Sequence, residues 1–232
     1  MEKQDTFRAV VLIPAYKPDE RLIQLTRELK EEKLDVLLVD DGGQKPFAPI
    51  FEACRALGAE VAVHAVNQGK GRALKTAFSY VSENMPDIKG VITIDGDGQH
   101  LVDDIVACGK RMLKEDGKVV LGCRDFNAPG VPPRSIAGNK TTARLFRICY
   151  GIKLSDTQTG LRAIPAEYLM PFCGIEGERF EYETNMLLNM KRMGIGFAEQ
   201  PITTVYDPED YSSHYDAVKD SWLIFKVMFR FL

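Results

Sequence analysis

The sequence predicts an α/β protein with a mostly parallel sheet and helices on both faces. Short apolar runs alternate with helical patterns through the first half of the 232-residue chain, as expected for repeated strand and helix units. These runs are continuously apolar, which is typical of strands buried on both faces. The 45% hydrophobic content is enough for a sizeable core. We therefore expect a single domain over residues 1–212, followed by an amphipathic helix over residues 213–232.

The individual elements follow from the apolar pattern and from the turn residues between the runs. Predicted strands cover residues 9–13, 36–39, 61–65, 90–94 and 119–122, with a further strand-like segment returning to Pro201. Predicted helices cover residues 19–31, 47–57, 71–83, 102–113, 135–150 and 180–193. Residues 125–134 and 155–160 are predicted loops. In such sheets ligands bind beyond the carboxyl ends of the strands, so the residues at those ends are the first candidates for function.

Composition excludes some classes of function. The chain has 30 Lys and Arg against 33 Asp and Glu, a net charge of -3, without the basic excess typical of nucleic-acid binding. Its five cysteines form no CxxC pair, which favours a reducing compartment. The charged N-terminus lacks the pattern of a signal peptide, and no apolar run approaches the roughly 20 residues that span a bilayer. We expect a cytoplasmic protein.

The segment after the fourth predicted strand has the composition of a metal site. Asp95 and Asp97 are separated by Gly96 and are followed by Gln99. Two carboxylates at this spacing can bind one hard cation, Mg²⁺ or Mn²⁺, and leave coordination positions for phosphate oxygens. Such a cation would stabilise the charge that builds on a departing diphosphate. By itself, the segment is equally compatible with an acidic glycine turn that binds nothing.

Residues after the first and second predicted strands are candidates for binding a nucleoside. The first strand ends in Pro14-Ala15-Tyr16, and the Tyr16 ring is placed to lie over a nucleobase. Asp40 and Asp41 follow the second strand, where a carboxylate can accept hydrogen bonds from a ribose or a base. Two alternatives remain open: the tyrosine packs on its own loop, or one aspartate only caps the turn.

A glycine-rich basic turn precedes the third predicted helix. Gly69 and Gly71 alternate with Lys70 and Arg72, and the helix N-terminus beside them favours an anion. The spacing is not that of a P-loop. A solvated basic turn without a ligand is the competing interpretation.

Taken together, the motifs resemble family 2 glycosyltransferases, in particular polyprenyl-phosphate hexosyltransferases of the dolichol-phosphate mannose synthase type. The resemblance covers nearly the whole chain and rests on the motifs IPAY, LLVDDGG, NQGKGRALKTAF, ITIDGDGQH, GCRDF, PPRSIAGN and DTQTGLRA in this order. It implies a GT-A fold, which is a Rossmann-like sheet, and a nucleoside-diphosphate sugar donor of the GDP-mannose or UDP-glucose type. It also implies Mg²⁺ or Mn²⁺, inversion at the anomeric carbon and a polyprenyl phosphate acceptor.

The resemblance also implies a role for each motif residue. Nucleoside contacts are implied for Pro14, Tyr16 and Asp41; metal and diphosphate binding for Asp95, Asp97 and Gln99; acceptor phosphate binding for Arg124 and Arg134; and a place near the transferred sugar for Asp156. Guanidinium groups suit phosphate because they bind it with two parallel hydrogen bonds.

An acceptor phosphate is already anionic near neutral pH, so this chemistry does not require a general base. Catalysis would come from positioning and from charge balance by the metal and the arginines, with Asp97, Arg124, Arg134 and Asp156 as the catalytic set. The role of Asp156 stays open, because it could orient a sugar hydroxyl or act as a base toward an alcohol acceptor.

The last segment predicts contact with a membrane surface. Apolar residues at helical spacing, including Trp222 and Phe225, lie beside cations such as Lys226 and Arg230. Packing of this helix on the protein's own core, dimerisation through it, and a separate membrane protein as partner are the alternatives.

Other functions remain open or are disfavoured. The same fold could transfer sugar to a saccharide or protein hydroxyl, or could bind nucleotide-sugars without catalysis. A dehydrogenase is disfavoured because no GxGxxG follows a strand. A nucleotidyltransferase is disfavoured because the first strand leads into IPAYKPDE and not into a glycine-rich loop containing arginine.

Overall fold

The computed structural model describes residues 8–43, 45–128, 131–203 and 226. Its strands are β1 (Ala9–Ala15), β2 (Asp35–Asp40), β3 (Glu60–Val63), β4 (Gly90–Thr93), β5 (Val119–Arg124), β6 (Arg162–Pro165) and β7 (Phe197–Ile202). Its α-helices are α1 (Glu20–Glu31), α2 (Ala48–Ala56), α3 (Lys70–Asn84), α4 (Val102–Met112), α5 (Pro133–Tyr150), α6 (Leu169–Cys173) and α7 (Glu181–Arg192). The strands form one sheet in the order β3-β2-β1-β4-β6-β5-β7.

The direction of the strands decides which loops meet. β1 pairs in parallel with both β2 and β4, and β5 pairs in parallel with β7. β6 lies between β4 and β5 and is antiparallel to both. The amino end of β6 therefore lies at the same edge of the sheet as the carboxyl ends of β1, β2, β4 and β5. The loop that precedes β6 reaches that edge for this reason.

The core consists of two apolar layers, one on each face of the sheet. In β1, Val10 and Leu12 point to the layer that contains side chains of α3, α6 and α7, while Val11 and Ile13 point to the layer of α1, α2 and α4. All four side chains are fully buried. Burial on both faces explains why the strand reads as a continuous apolar run.

Most predicted elements are confirmed, and the differences are local. The third strand ends at Val63, two residues earlier than predicted, and α5 begins at Pro133, where proline suits the first turn of a helix. Sequence analysis missed β6 and the five-residue α6. The strand β6 has four residues, begins with an arginine and ends with a proline, so it lacks an apolar run.

The predicted C-terminal helix over residues 213–232 lies outside the described residues, apart from Lys226. Within the described ranges, no helix is both long enough and apolar enough to cross a membrane. The five cysteines, all of which are described, are unpaired.

Two helical glycines give a matched test of the packing. A Cβ at Gly71 in α3 would lie 2.5 Å from Cβ of Tyr182, whereas a Cβ at Gly138 in α5 meets nothing within 4 Å. We predict that Gly71→Ala lowers the free energy of unfolding by about 1–3 kcal/mol, as overpacking does. Gly138→Ala should raise it by about 0.5–1 kcal/mol, because alanine favours a helix. Urea denaturation measures both, and equal effects of the two substitutions would contradict this description of the packing.

Candidate active site

A cavity of about 630 Å³ opens at the edge of the sheet where the carboxyl ends of β1 and β4 meet. Most residues predicted for donor and metal binding line it: Pro14, Ala15, Tyr16, Asp41, Gly69, Lys70, Asp95, Gly96, Asp97 and Gln99. Arg124, which was predicted for the acceptor phosphate, also lines it. Asp40, Arg72 and Asp156 do not line this cavity. Arg134 belongs to the first turn of α5, and its side chain lies outside the described part of the structure.

The two carboxylates after β4 lie in different electrostatic environments. Burial alone would raise the pKa of Asp95, but the nearby Lys70 and His100 lower it well below its ordinary value. Burial and repulsion from Asp95 raise the pKa of Asp97. The Asp97 carboxylate accepts a hydrogen bond of 3.0 Å from the backbone N–H of Gln99, which closes the turn. The surroundings therefore favour the charged form of Asp95 and disfavour that of Asp97.

The donor set of the turn suits a hard divalent cation. Asp95, Asp97 and Gln99 line the cavity and carry side-chain oxygen atoms, the ligand type that Mg²⁺ and Mn²⁺ prefer. No three His, Cys, Asp or Glu side chains among the described residues are grouped so that they could hold a metal ion. A cation held by two carboxylates and one amide oxygen would keep open positions for water or for ligand oxygens.

Lys70 ties three segments of the cavity together. Its Nζ lies 2.7 Å from Oδ1 of Asp95 and 2.7 Å from Oε2 of Glu183, and its side chain is 13% exposed. Burial alone would lower the pKa of Lys70, but attraction to both carboxylates outweighs burial and raises it. The ammonium therefore stays charged at neutral pH and acts as a fixed cation beside the predicted metal turn.

Asp41 is buried and holds the loop before α3. Its Oδ1 accepts hydrogen bonds from the backbone N–H of Gln68 (2.9 Å) and from Nδ1 of His64 (2.7 Å). Its Oδ2 accepts from the backbone N–H of Gly69 at 2.8 Å. A carboxylate has about four acceptor positions, and contacts with described residues fill three of those of Asp41.

Arg124 and Asp156 form a pair with parallel hydrogen bonds at the other side of the cavity. Nε of Arg124 donates to Oδ2 of Asp156 at 2.7 Å, and Nη2 donates to Oδ1 at 3.1 Å. The Asp156 side chain is fully buried, whereas that of Arg124 is 25% exposed and lines the cavity. The guanidinium also lies 5.1 Å above the centre of the Phe126 ring. Asp156 thus fixes the orientation of Arg124, a role that the sequence did not reveal.

Two residues that were predicted to bind the sugar donor, Arg72 and Asp40, make their contacts outside the cavity. Nε of Arg72 lies 2.6 Å from Oε2 of Glu178, so this arginine joins α3 to the loop before α7. Asp40 accepts a hydrogen bond of 2.7 Å from the backbone N–H of Gly43 and thereby caps the turn after β2. The capping role is one of the two alternatives that the sequence left open for the aspartate pair.

Several charged residues that line the cavity were not among the predicted site residues, and Arg162 and Glu183 are two of them. Arg162 at the start of β6 is 1% exposed, and its Nη1 donates to the backbone oxygen of Glu183 at 2.9 Å. Oε1 of Glu183 is buried without a hydrogen-bond partner in the described structure. The signal for Glu183 was present in the acidic first turn of the predicted helix 180–193, but acids are favourable there whatever the function. Arg162 lies in the motif DTQTGLRA, but its place in the cavity was not predicted because β6 itself was not predicted.

The chain is similar in sequence to a known protein family and to individual proteins. The model of the family described as glycosyl transferase family 2 matches residues 10–170. The chain is 27% identical over 225 residues to an uncharacterised protein of Methanocaldococcus jannaschii, covering 95% of this chain and 90% of the relative. It is 25% identical over 215 residues to the UDP-N-acetylglucosamine–dolichyl-phosphate N-acetylglucosaminyltransferase of Methanococcus voltae, covering 84% of this chain and 85% of the relative.

The fold is similar to that of solved glycosyltransferases. The structure of Mycobacterium tuberculosis glucosyl-3-phosphoglycerate synthase with Mn²⁺, UDP and phosphoglyceric acid gives a TM-score of 0.65 at 15% identity, covering 97% of this chain and 78% of that chain. This likeness confirms the predicted GT-A fold. The family match covers well over half of the residues. The chain therefore belongs to glycosyl transferase family 2 and is a glycosyltransferase.

Proposed function

We propose that this glycosyltransferase moves a hexose or N-acetylhexosamine from a nucleoside-diphosphate sugar to a polyprenyl phosphate, with inversion at the anomeric carbon. The observation that carries the proposal is the arrangement of charge in one cavity. An acidic turn suited to a divalent cation lines it together with Arg124, which the buried Asp156 holds by two hydrogen bonds. Such an arrangement suits a reaction between two phosphate-bearing substrates.

The sugar donor would bind in the cavity with its nucleoside and its diphosphate against different residues. Tyr16 and the remaining acceptor position of Asp41 suit the nucleoside, while Asp95, Asp97 and Gln99 would hold Mg²⁺ or Mn²⁺ against the diphosphate. A bound cation would supply Lewis-acid stabilisation of the leaving diphosphate. Support for a metal also comes from the glucosyl-3-phosphoglycerate synthase described above, which was crystallised with Mn²⁺ and UDP.

The acceptor phosphate would bind at Arg124, and Arg134 in the first turn of α5 is the second candidate ligand. A phosphate oxygen forms the new bond to the anomeric carbon while the bond from that carbon to the diphosphate breaks, and the electron pair leaves with the diphosphate. No proton has to be removed from the attacking oxygen. Asp156 has both oxygens bound to Arg124, so in this mechanism it positions the arginine and does not act as a base.

The nature of the acceptor is supported by a relative. The Methanococcus voltae protein is named for transfer to dolichyl phosphate, and the similarity covers most of both chains. Because a polyprenyl phosphate is a lipid, the proposal includes peripheral contact with the cytoplasmic face of a membrane. The predicted helix 213–232 is the candidate for this contact.

Substitution of Asp97 tests the proposed metal site. We expect Asp97→Asn to weaken donor binding in the presence of Mn²⁺ by at least tenfold, because the variant loses one anionic ligand of the cation. Thermal shift with UDP-glucose, UDP-N-acetylglucosamine and GDP-mannose, each with and without Mn²⁺, measures the effect, since a ligand stabilises the folded state by mass action. Asp87→Asn, at an exposed turn, is the matched control. Equal stabilisation of both variants by donor and Mn²⁺ would refute the metal role.

The second prediction concerns the acceptor. Arg124→Ala should lower kcat/KM for a short-chain polyprenyl phosphate about 100-fold and leave donor binding near wild type, because the charged group that holds the phosphate is lost. Arg134→Ala should act in the same direction. Asp156→Asn should reduce turnover less, by about tenfold, since Arg124 keeps its charge but loses its ionic partner. Arg27→Ala, on the exposed side of α1, is the control.

Formation of the lipid-linked sugar is the readout for these variants. A saccharide and a peptide with a side-chain hydroxyl are tested as alternative acceptors. If the protein transfers sugar to a hydroxyl acceptor and Arg124→Ala leaves this transfer unchanged, the result would favour a glycosyltransferase that acts on saccharide or protein hydroxyls. Donor binding without transfer to any acceptor would indicate a nucleotide-sugar-binding protein and would overturn the proposal.

A further inference from the structure

His64 follows β3 and lies buried behind the cavity wall, with 8% of its surface exposed. Its two ring nitrogens contact different elements. Nδ1 lies 2.7 Å from Oδ1 of Asp41, after β2, and Nε2 lies 2.9 Å from Oγ1 of Thr76, in α3. His64 does not line the cavity, so any influence on a bound ligand passes through its neighbours.

The direction of the hydrogen bonds follows from Asp41. Both of its oxygens already accept backbone N–H groups, from Gln68 and Gly69, so the carboxylate acts as an acceptor. Nδ1 of His64 must therefore carry the proton and donate. In the neutral ring Nε2 then accepts from the Thr76 hydroxyl, which fixes the orientation of the imidazole from the side of α3.

The loop held by Asp41 has little freedom to adjust. Gly69 has a φ of 100°, and a Cβ there would lie 2.3 Å from the backbone oxygen of Glu178. A Cβ at Gly42 would lie 2.3 Å from the backbone nitrogen of Asn67. Backbone thus packs on backbone on both sides of the loop. The next residue, Lys70, starts α3 and contacts Asp95 and Glu183.

We propose that His64 is a positioning residue for the donor site. By donating to Asp41, it holds the carboxylate where it binds the N–H groups of Gln68 and Gly69, and this sets the position of Lys70 beside the metal turn. Without the imidazole, Asp41 loses its third donor and the hydrogen bonds to the loop weaken. The proposal rests on the proposed function only in that the ligand bound at this wall is a nucleotide-sugar.

Two substitutions separate the contacts of His64. The side-chain nitrogen of asparagine occupies nearly the position of the histidine Nδ1, whereas that of glutamine occupies nearly the position of Nε2. His64→Asn therefore retains a donor to Asp41 and loses Thr76, while His64→Gln retains the contact with Thr76 and loses the donor to Asp41. Val81→Ala is the control for general destabilisation, because it removes core volume from the same helix α3 away from the cavity.

The experiment measures two properties of each variant. Hydrogen exchange reports the protection of the Gln68 and Gly69 amides, and calorimetry reports the Kd for UDP and for GDP, each with Mn²⁺. We expect His64→Gln to increase exchange of both amides at least tenfold and to weaken nucleotide binding about tenfold. His64→Asn should stay within about threefold of wild type in both measurements. Val81→Ala should lower stability without either local effect.

Each outcome decides the proposal. Wild-type exchange and binding in His64→Gln would overturn it, and so would equal losses in His64→Asn and His64→Gln, because the donor to Asp41 would then not be the cause. A Val81→Ala variant that reproduces the losses would show that they follow stability alone and would also overturn it. If the wild-type protein binds neither nucleotide, the proposed function fails, but the exchange of the two amides still decides whether His64 holds the loop.

Discussion

The arrangement of the cavity depends on the two ion pairs of Lys70. A buried ammonium is tolerated only where it is paired, and here its partners come from the turn after β4 and from α7. The lysine itself starts α3, so one cation fixes the relative positions of three segments that are far apart in sequence. Removing the ammonium would leave two partly buried carboxylates without this cation. The acidic turn that contains Asp95 and the helix α7 are therefore electrostatically coupled.

Charge is divided across the cavity in a way that would suit the two phosphate-bearing substrates proposed above. The acidic turn and Lys70 lie on one side, and Arg124 lies on the other with its orientation set by a carboxylate that is itself fully buried. An arginine held by two parallel hydrogen bonds loses little further freedom when it binds an anion. The same device recurs at Asp41, where a buried carboxylate orders backbone N–H groups. In both cases a buried acid holds a residue that lines the cavity, Arg124 in one and Gly69 in the other.

The sequence predicted the sheet and much of the cavity because both depend on local patterns. Continuous apolar runs identified β1, β2 and β4, and the residues directly after them line the cavity. The roles of Arg162 and Asp156 could not be predicted in this way. The position of Arg162 in the cavity depends on the antiparallel direction of β6, and no local sequence pattern encodes that direction. Asp156 was placed in a loop, but its partner Arg124 lies 32 residues earlier, so their contact is visible only in the folded chain.

One glycine links the two halves of the cavity mechanically. A Cβ at Gly160 would lie 2.2 Å from Oδ2 of Asp95, so the loop before β6 rests directly on the carboxylate of the metal turn. The same loop contains Asp156, which orients the candidate acceptor arginine. The packing of each segment therefore depends on the other. An attempt to change acceptor preference by grafting this loop from a relative would therefore have to transfer the metal turn with it, since the two segments form a single exchangeable module.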